Sequence, residues 1–170
     1  MSKAGNKGEA KQDAKQSSKP HAVSATVTGA QIQQVGFRAM VQKQAITYNL
    51  AGSARNNADK TVEVALQGDK DGIDKVVAAM KAGSKKSSKN NTVAEASASV
   101  DPNLKTFTVF AWTSTTRNIM THYDLVFRVR SPDSQISVEA AKAIWNAIAQ
   151  TTLKGADLDK FNRHLDDDSE

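Results

Sequence analysis

Val23, Ala25 and Val27 alternate with Ser24, Thr26 and Thr28, the two-residue period of a half-buried strand. From Phe37 the period changes. Met40, Val41, Ala45 and Tyr48 fall on one stripe of a helix of about three turns. Gly52 to Asn56 reads as a short strand, Asn57-Ala58-Asp59 as a turn, and Val62, Val64 and Leu66 as a further strand. Ile73, Val76, Val77 and Met80 then take helical spacing, with Gly83 at the position of a C-terminal stop. After a linker from Ser84 to Asn91, residues Thr92 to Val100 read as a fourth strand. The order strand, helix, strand, strand, helix, strand predicts an α+β fold. It is the ferredoxin-like α/β sandwich (βαββαβ), an antiparallel sheet with two helices on one face.

Composition narrows the classes without choosing among them. The chain has 170 residues, 39% of them hydrophobic, so one ordinary core is available with chain to spare. Net charge is +5, too mild to name a partner. There is no cysteine, which removes disulfides, thiolate nucleophiles and cysteine metal sites. No apolar run has the length of a membrane span, and a cytoplasmic protein without a membrane partner is expected. Residues 1–20, rich in Lys, Ser, Gln, Gly and Ala, read as a disordered basic tail.

The candidate chemistry lies around the first helix. A glycine turn, Val35-Gly36, opens onto Phe37-Arg38, and such a turn directs backbone N–H groups toward the positive end of the helix dipole. Arg38 can close a planar fork on phosphate or carboxylate. Asn56 follows a short strand, and its amide can accept and donate a hydrogen bond, as holding a water requires. Phe37 reads as a core residue. The histidines His21, His122 and His164 are far apart and lack metal-ligand spacing, Asp71 and Asp74 read as solvated charge, and no cofactor is expected. The basic stretch from Ser84 to Lys89 reads as a solvated connector, so a nucleic-acid partner is not favoured.

These residues resemble the acylphosphatase family, whose pattern runs V-x-G-x-V-Q-G-V-G-F-R, a helix, G-x-V-x-N, and D-G-x-V-E with a later glycine. Here it reads Val27-Thr28-Gly29, Ile32-Gln33-Gln34-Val35-Gly36-Phe37-Arg38, Gly52-Ser53-Ala54-Arg55-Asn56, Asp59-Lys60-Thr61-Val62-Glu63 and Gln67-Gly68, over about residues 22 to 113. The family's loop glycine is replaced by Gln34, the middle residue of its G-x-V-x-N by Ala54, and the glycine after Asp59 by Lys60. Gly29 lies one residue farther from Arg38 than the pattern has it, so either the loop holds an extra residue or the strand carries a bulge. The resemblance implies the same fold, with Thr106 to Trp112 as a fifth strand. It also implies a metal-independent hydrolase of small acyl phosphates, inhibited by inorganic phosphate or other anions. Arg38 and the backbone N–H groups of Gln34, Val35, Gly36, Phe37 and Arg38 would hold the phosphate, and Asn56 would orient the water. The alternative is an acylphosphatase-like domain without catalysis that binds a protein, an anion or RNA, which the altered loop favours.

The domain so marked is residues 21–113. Beyond it, Tyr123, Leu125, Phe127 and Val129 alternate as a sixth strand in a hairpin with residues 107–112. Ser137 is a good N-cap for a helix whose buried stripe would be Val138, Ala141, Ile144, Trp145 and Ile148. Residues 114–153 are thus expected to form a strand and helix packed on the same domain, the helix against the sheet edge. Residues 154–170 read as an acidic, frayed tail.

Overall fold

The computed structural model describes residues 19–33, 35–116, 119–131, 133–153 and 155–167. Six strands form a single sheet: β1 (His21–Thr28), β2 (Ala51–Asn56), β3 (Val62–Gly68), β4 (Thr92–Ser97), β5 (Thr106–Thr116) and β6 (Ile119–Arg128). Their order across the sheet is β4-β1-β3-β2-β5-β6. Two helices complete the βαββαβ unit, α1 (Phe37–Thr47) and α2 (Lys70–Ala82), and two more follow the last strand, α3 (Val138–Thr152) and α4 (Ala156–Asp167). The first four strands in the order 4-1-3-2, with helices after β1 and β3, are the ferredoxin-like fold. β5 adds to it in parallel with β2, and β6 in antiparallel with β5.

Strand alternation decides which face is covered. Ala25, Val27, Ala54, Val62, Val64, Leu66, Phe107, Val109, Leu125 and Phe127 all turn to the helices and are buried. The intervening residues face outward, so that Val126 is 46% exposed. β1 pairs with β3 in unbroken register from His21↔Gly68 to Val27↔Val62. The strand therefore carries no bulge there, and the extra residue before Arg38 sits in the β1–α1 loop. Lys60, in place of the family's glycine, takes φ 74° in the β2–β3 turn. That position is left-handed backbone, which explains why a glycine suits it. Asp59 holds the turn by accepting from Thr61 N–H at 3.1 Å and Thr61 Oγ1 at 2.6 Å.

Several expectations change in the second half of the chain. β4 ends at Ser97, short of Val100. β5 and β6 run beyond Trp112 to the Thr116↔Ile119 pair, so the hairpin expected over residues 107–112 is longer than the alternation marked. Ser137 does cap α3, its Oγ accepting from Ala140 N–H at 3.1 Å. The stripe of α3 is shifted, however. Ala141, Trp145 and Ala149 are buried while Ile144 is 50% exposed. α3 packs on the inner face of β6 and on α1, beside the other helices and not along the sheet edge. Residues 156–167, expected to fray, form α4, because Phe161 gives that segment an apolar anchor. Its ring stands edge-on to Trp112 at 5.0 Å and stacks on Phe127 at 6.4 Å.

This packing encloses α1, whose periodicity predicted one apolar stripe. Nine of its residues are buried, among them Arg38, Gln42 and Lys43. The sheet and α2 cover the side that the pattern marks as apolar, and α3 and α4 cover much of the rest.

Candidate functional site

β2 and β5 run parallel, with Ala54 opposite Val109. Two residues farther on, Asn56 ends β2 on the same inward side as Ala54. Glycine is required at the start of this strand. Gly52 has φ 143°, and a Cβ there would lie 1.8 Å from the Ala65 carbonyl oxygen, so β2 can approach β3 this closely only without a side chain. The Asn56 side-chain oxygen is buried and has no hydrogen-bond partner among the described residues. An amide oxygen held dry at a strand end is an acceptor waiting for a donor, since leaving it unpaired costs free energy.

On β5 the level of Asn56 is marked by a bulge. The β5–β6 register slips between Val109 and Trp112, so that Phe110 and Ala111 together oppose Asp124. Ala111 takes φ 53°. The bulge presents two carbonyls to Arg38, whose Nη1 donates to Phe110 O at 2.5 Å and to Ala111 O at 3.2 Å. The guanidinium also lies 5.6 Å from the centre of the Trp112 ring, a cation–π distance. Arg38 is only 8% exposed, and burial pushes its pKa down to about 10, which leaves it a cation at neutral pH. With Nη1 directed at the two carbonyls, the Nε and Nη2 hydrogens form the edge that a bidentate contact to an oxyanion uses.

Gly36 opens the helix that carries Arg38. It precedes α1 at φ 82° and ψ 10°, and neither a capping side chain nor an acidic residue occupies the first turn. The opening N–H groups of a helix have no intrahelical acceptor, so the Phe37 and Arg38 amides lie at its positive end. Val35 is half-buried and Phe37 is buried in the core, as expected. Gln34, which replaces the family's glycine, lies outside the described residues.

Two braces hold the loop in place, and sequence reasoning assigned neither. Gln33 Nε2 donates to the carbonyls of Asn57 and Thr61, both at 2.9 Å, which ties the loop to the turn directly after Asn56. Gln33 belongs to the quoted motif, and that was the signal available. On the other side, Gln31 N–H donates to Ser88 Oγ at 3.1 Å and Gln31 O accepts from Ser88 N–H at 2.7 Å. The segment read as a solvated connector is thus partly structural. Ser84, Ser87 and Asn91 are buried, while the lysines Lys85, Lys86 and Lys89 are exposed. Lys89 Nζ donates to the carbonyl of Ser84. His21 and His122 are exposed, and the side chain of His164 lies outside the described residues. Asp74 pairs with Lys70 at 2.9 Å on the surface of α2. Among the described residues no three His, Cys, Asp or Glu side chains gather as metal ligands, and no helix is long and apolar enough to cross a membrane.

The comparisons with known proteins meet this geometry. An acylphosphatase from Colwellia psychrerythraea is 54% identical over 46 residues, 27% of this chain and 52% of that protein. One from Chromohalobacter salexigens is 47% identical over 55 residues, 32% of this chain and 60% of that protein. The chain therefore spans between half and two thirds of the length of these relatives. The crystal structure of an acylphosphatase from Bacillus subtilis aligns with a TM-score of 0.47 at 29% identity, over 51% of this chain and 94% of that one. The acylphosphatase family model matches residues 23–109, from within β1 through the pairing of β5 with β2, together with Gly36, Arg38 and Asn56. The chain belongs to the acylphosphatase family.

Proposed function

We propose that this protein hydrolyses the carboxyl–phosphate bond of small acyl phosphates. The observation that carries the reading is the joint placement of Arg38 and Asn56. A buried guanidinium, seated through Nη1, and a buried amide oxygen without a hydrogen-bond partner among the described residues lie at the same end of the parallel β2–β5 pair. Acyl phosphates are mixed anhydrides with a good leaving group, so hydrolysis asks mainly for charge neutralisation and a positioned water. Arg38 and the amides of Val35, Gly36, Phe37 and Arg38, with Gln34 adjoining them, neutralise the phosphoryl oxygens. Asn56 accepts a hydrogen bond from the attacking water and aims its oxygen at phosphorus. The new phosphorus–oxygen bond forms as the phosphorus–carboxyl oxygen bond breaks. The carboxylate leaves with the electron pair, and the water's proton passes to phosphate or solvent. No metal is required, because the cation is Arg38.

Asn56→Ala is expected to lower turnover of benzoyl phosphate about 100-fold, the scale of losing one positioning contact. Competitive inhibition by inorganic phosphate should change by no more than about twofold, because the arginine and the amides remain. Parallel losses of turnover and phosphate affinity would make Asn56 a structural turn residue instead. The second reading, an anion-binding domain without turnover, is favoured by one feature, the 8% exposure of Arg38. It predicts phosphate binding by calorimetry with no phosphate release from benzoyl phosphate, in the presence or absence of a chelator.

A further inference from the structure

The seat of Arg38 lies immediately past the residues that carry the family match. Phe110 and Ala111 supply the two carbonyls, and the family model ends at residue 109. What shapes the seat is farther away still. Ala111 holds φ 53° without being glycine, a conformation that an alanine adopts only when its surroundings impose it. The group that opposes it across the bulge is Asp124 of β6, whose Oδ1 accepts from Ala111 N–H at 3.0 Å. Turning that N–H outward to the carboxylate rotates the adjoining peptides, so that the Phe110 and Ala111 carbonyls point inward to one guanidinium nitrogen.

We infer that Asp124 is a positioning residue for Arg38, acting through the left-handed conformation of Ala111, and that strand β6 is thereby part of the phosphate site. The inference rests on the hydrolase reading for its catalytic consequence, but the seating itself can be observed without substrate. Arg38 needs a seat because a long side chain is rich in rotamers, and a fork helps the reaction only when its plane is already set. Two carbonyls on Nη1 fix that plane and leave Nε and Nη2 aimed together. Without the carboxylate, Ala111 loses the contact that favours its positive φ. Relaxation of the bulge then withdraws at least the Ala111 carbonyl and lets the guanidinium turn.

The test uses Asp124→Ala, Asp124→Asn and the double variant Asp124→Ala/Ala111→Gly in the full chain. In the parent protein the Arg38 Nη1 hydrogens, held by the two carbonyls, should give a slowly exchanging resonance in nitrogen-15 NMR. It should exchange rapidly in Asp124→Ala and recover in the double variant, since glycine holds positive φ unaided. Asp124→Asn, which keeps an acceptor oxygen, should fall between. Inorganic phosphate affinity should follow the same order, with a loss of about tenfold or more in Asp124→Ala, the scale of a misplaced contact. In an Arg38→Lys background the Asp124 substitution should have little further effect on phosphate, as expected for residues acting as one unit. Unchanged Arg38 exchange in Asp124→Ala overturns the inference, even if the protein is an active hydrolase. A loss that glycine does not repair, or one of equal size in the Arg38→Lys background, also overturns it and leaves Asp124 a stability residue. Absence of hydrolysis in the parent protein defeats the functional reading alone, because the exchange measurement still decides the seating.

Discussion

Arg38→Ala should abolish most phosphate release from benzoyl phosphate, and it should also lower thermal stability. A charge-assisted, bidentate contact that strengthens in the transition state contributes about 2–4 kcal/mol, or roughly 30- to 1,000-fold in rate. The second effect follows from the seat. Removing the guanidinium takes from the Phe110 and Ala111 carbonyls the donor they now share, and a hydrogen bond to a charged group contributes about 1.5–3 kcal/mol. Arg38→Lys should recover part of the stability, because an ammonium can still reach a carbonyl, but little of the activity, because it has no planar fork. The pH dependence has a definite sign. Burial brings the pKa of Arg38 down to about 10, so phosphate inhibition should be flat through neutrality on account of this group and weaken as pH rises through that value. Phosphate-release kinetics and a thermal melt on the same preparations check all of this. Near-normal turnover in Arg38→Ala would end the hydrolase reading.

Phe161→Ala should be among the most destabilising single changes in the chain. The ring is fully buried and touches both Trp112 and Phe127. Truncating a core phenylalanine costs about 3–5 kcal/mol through lost burial and the cavity that remains. In a chain of this size that is a fall in Tm on the order of 10 °C. Ile144→Ala serves as the control. Its side chain is half-exposed on the outer side of α3, and the change should stay within about 0.5 kcal/mol. Equal melting of the two variants would mean that α4 does not pack as described. The consequence reaches the site as well, because Trp112 touches both the Arg38 guanidinium and the Phe161 ring. Loosening α4 should therefore weaken phosphate binding without touching any group that contacts phosphate.

The elements of the βαββαβ unit were legible because each is a local pattern. Two-residue alternation marks β1 and β3, the spacing of Ile73, Val76, Val77 and Met80 marks α2, and Gly83 and Ser137 mark helix ends. Arg38, Asn56 and Gly36 were legible as a group because the order of the family motif survives around them, even with glutamine and lysine in place of two glycines. The buried stripe of α3 was misplaced by one position on the helical wheel. Ile144 and Ala149 exchange roles, because periodicity shows that a helix has an apolar side but not which of two adjacent stripes meets the sheet. α4 was missed because its acidic composition was read as a tail, although Leu158, Phe161 and Leu165 stand at helical spacing, and Phe161 and Leu158 dock it on the core.

From the sequence alone came the strand and helix order, the glycine that opens α1, and the arginine and asparagine to which the proposed chemistry is assigned. These are properties of residue type and short spacing, and both survive in one dimension. Only the tertiary structure decided what surrounds them. Parallel pairing of β2 with β5 brings Asn56 level with residues more than fifty positions away. A bulge opposite Asp124 turns two backbone carbonyls toward Arg38, and Phe161 of α4 packs on Trp112. Carbonyl direction, strand neighbours and burial depend on which distant segments share a face, and no local pattern of side chains encodes that.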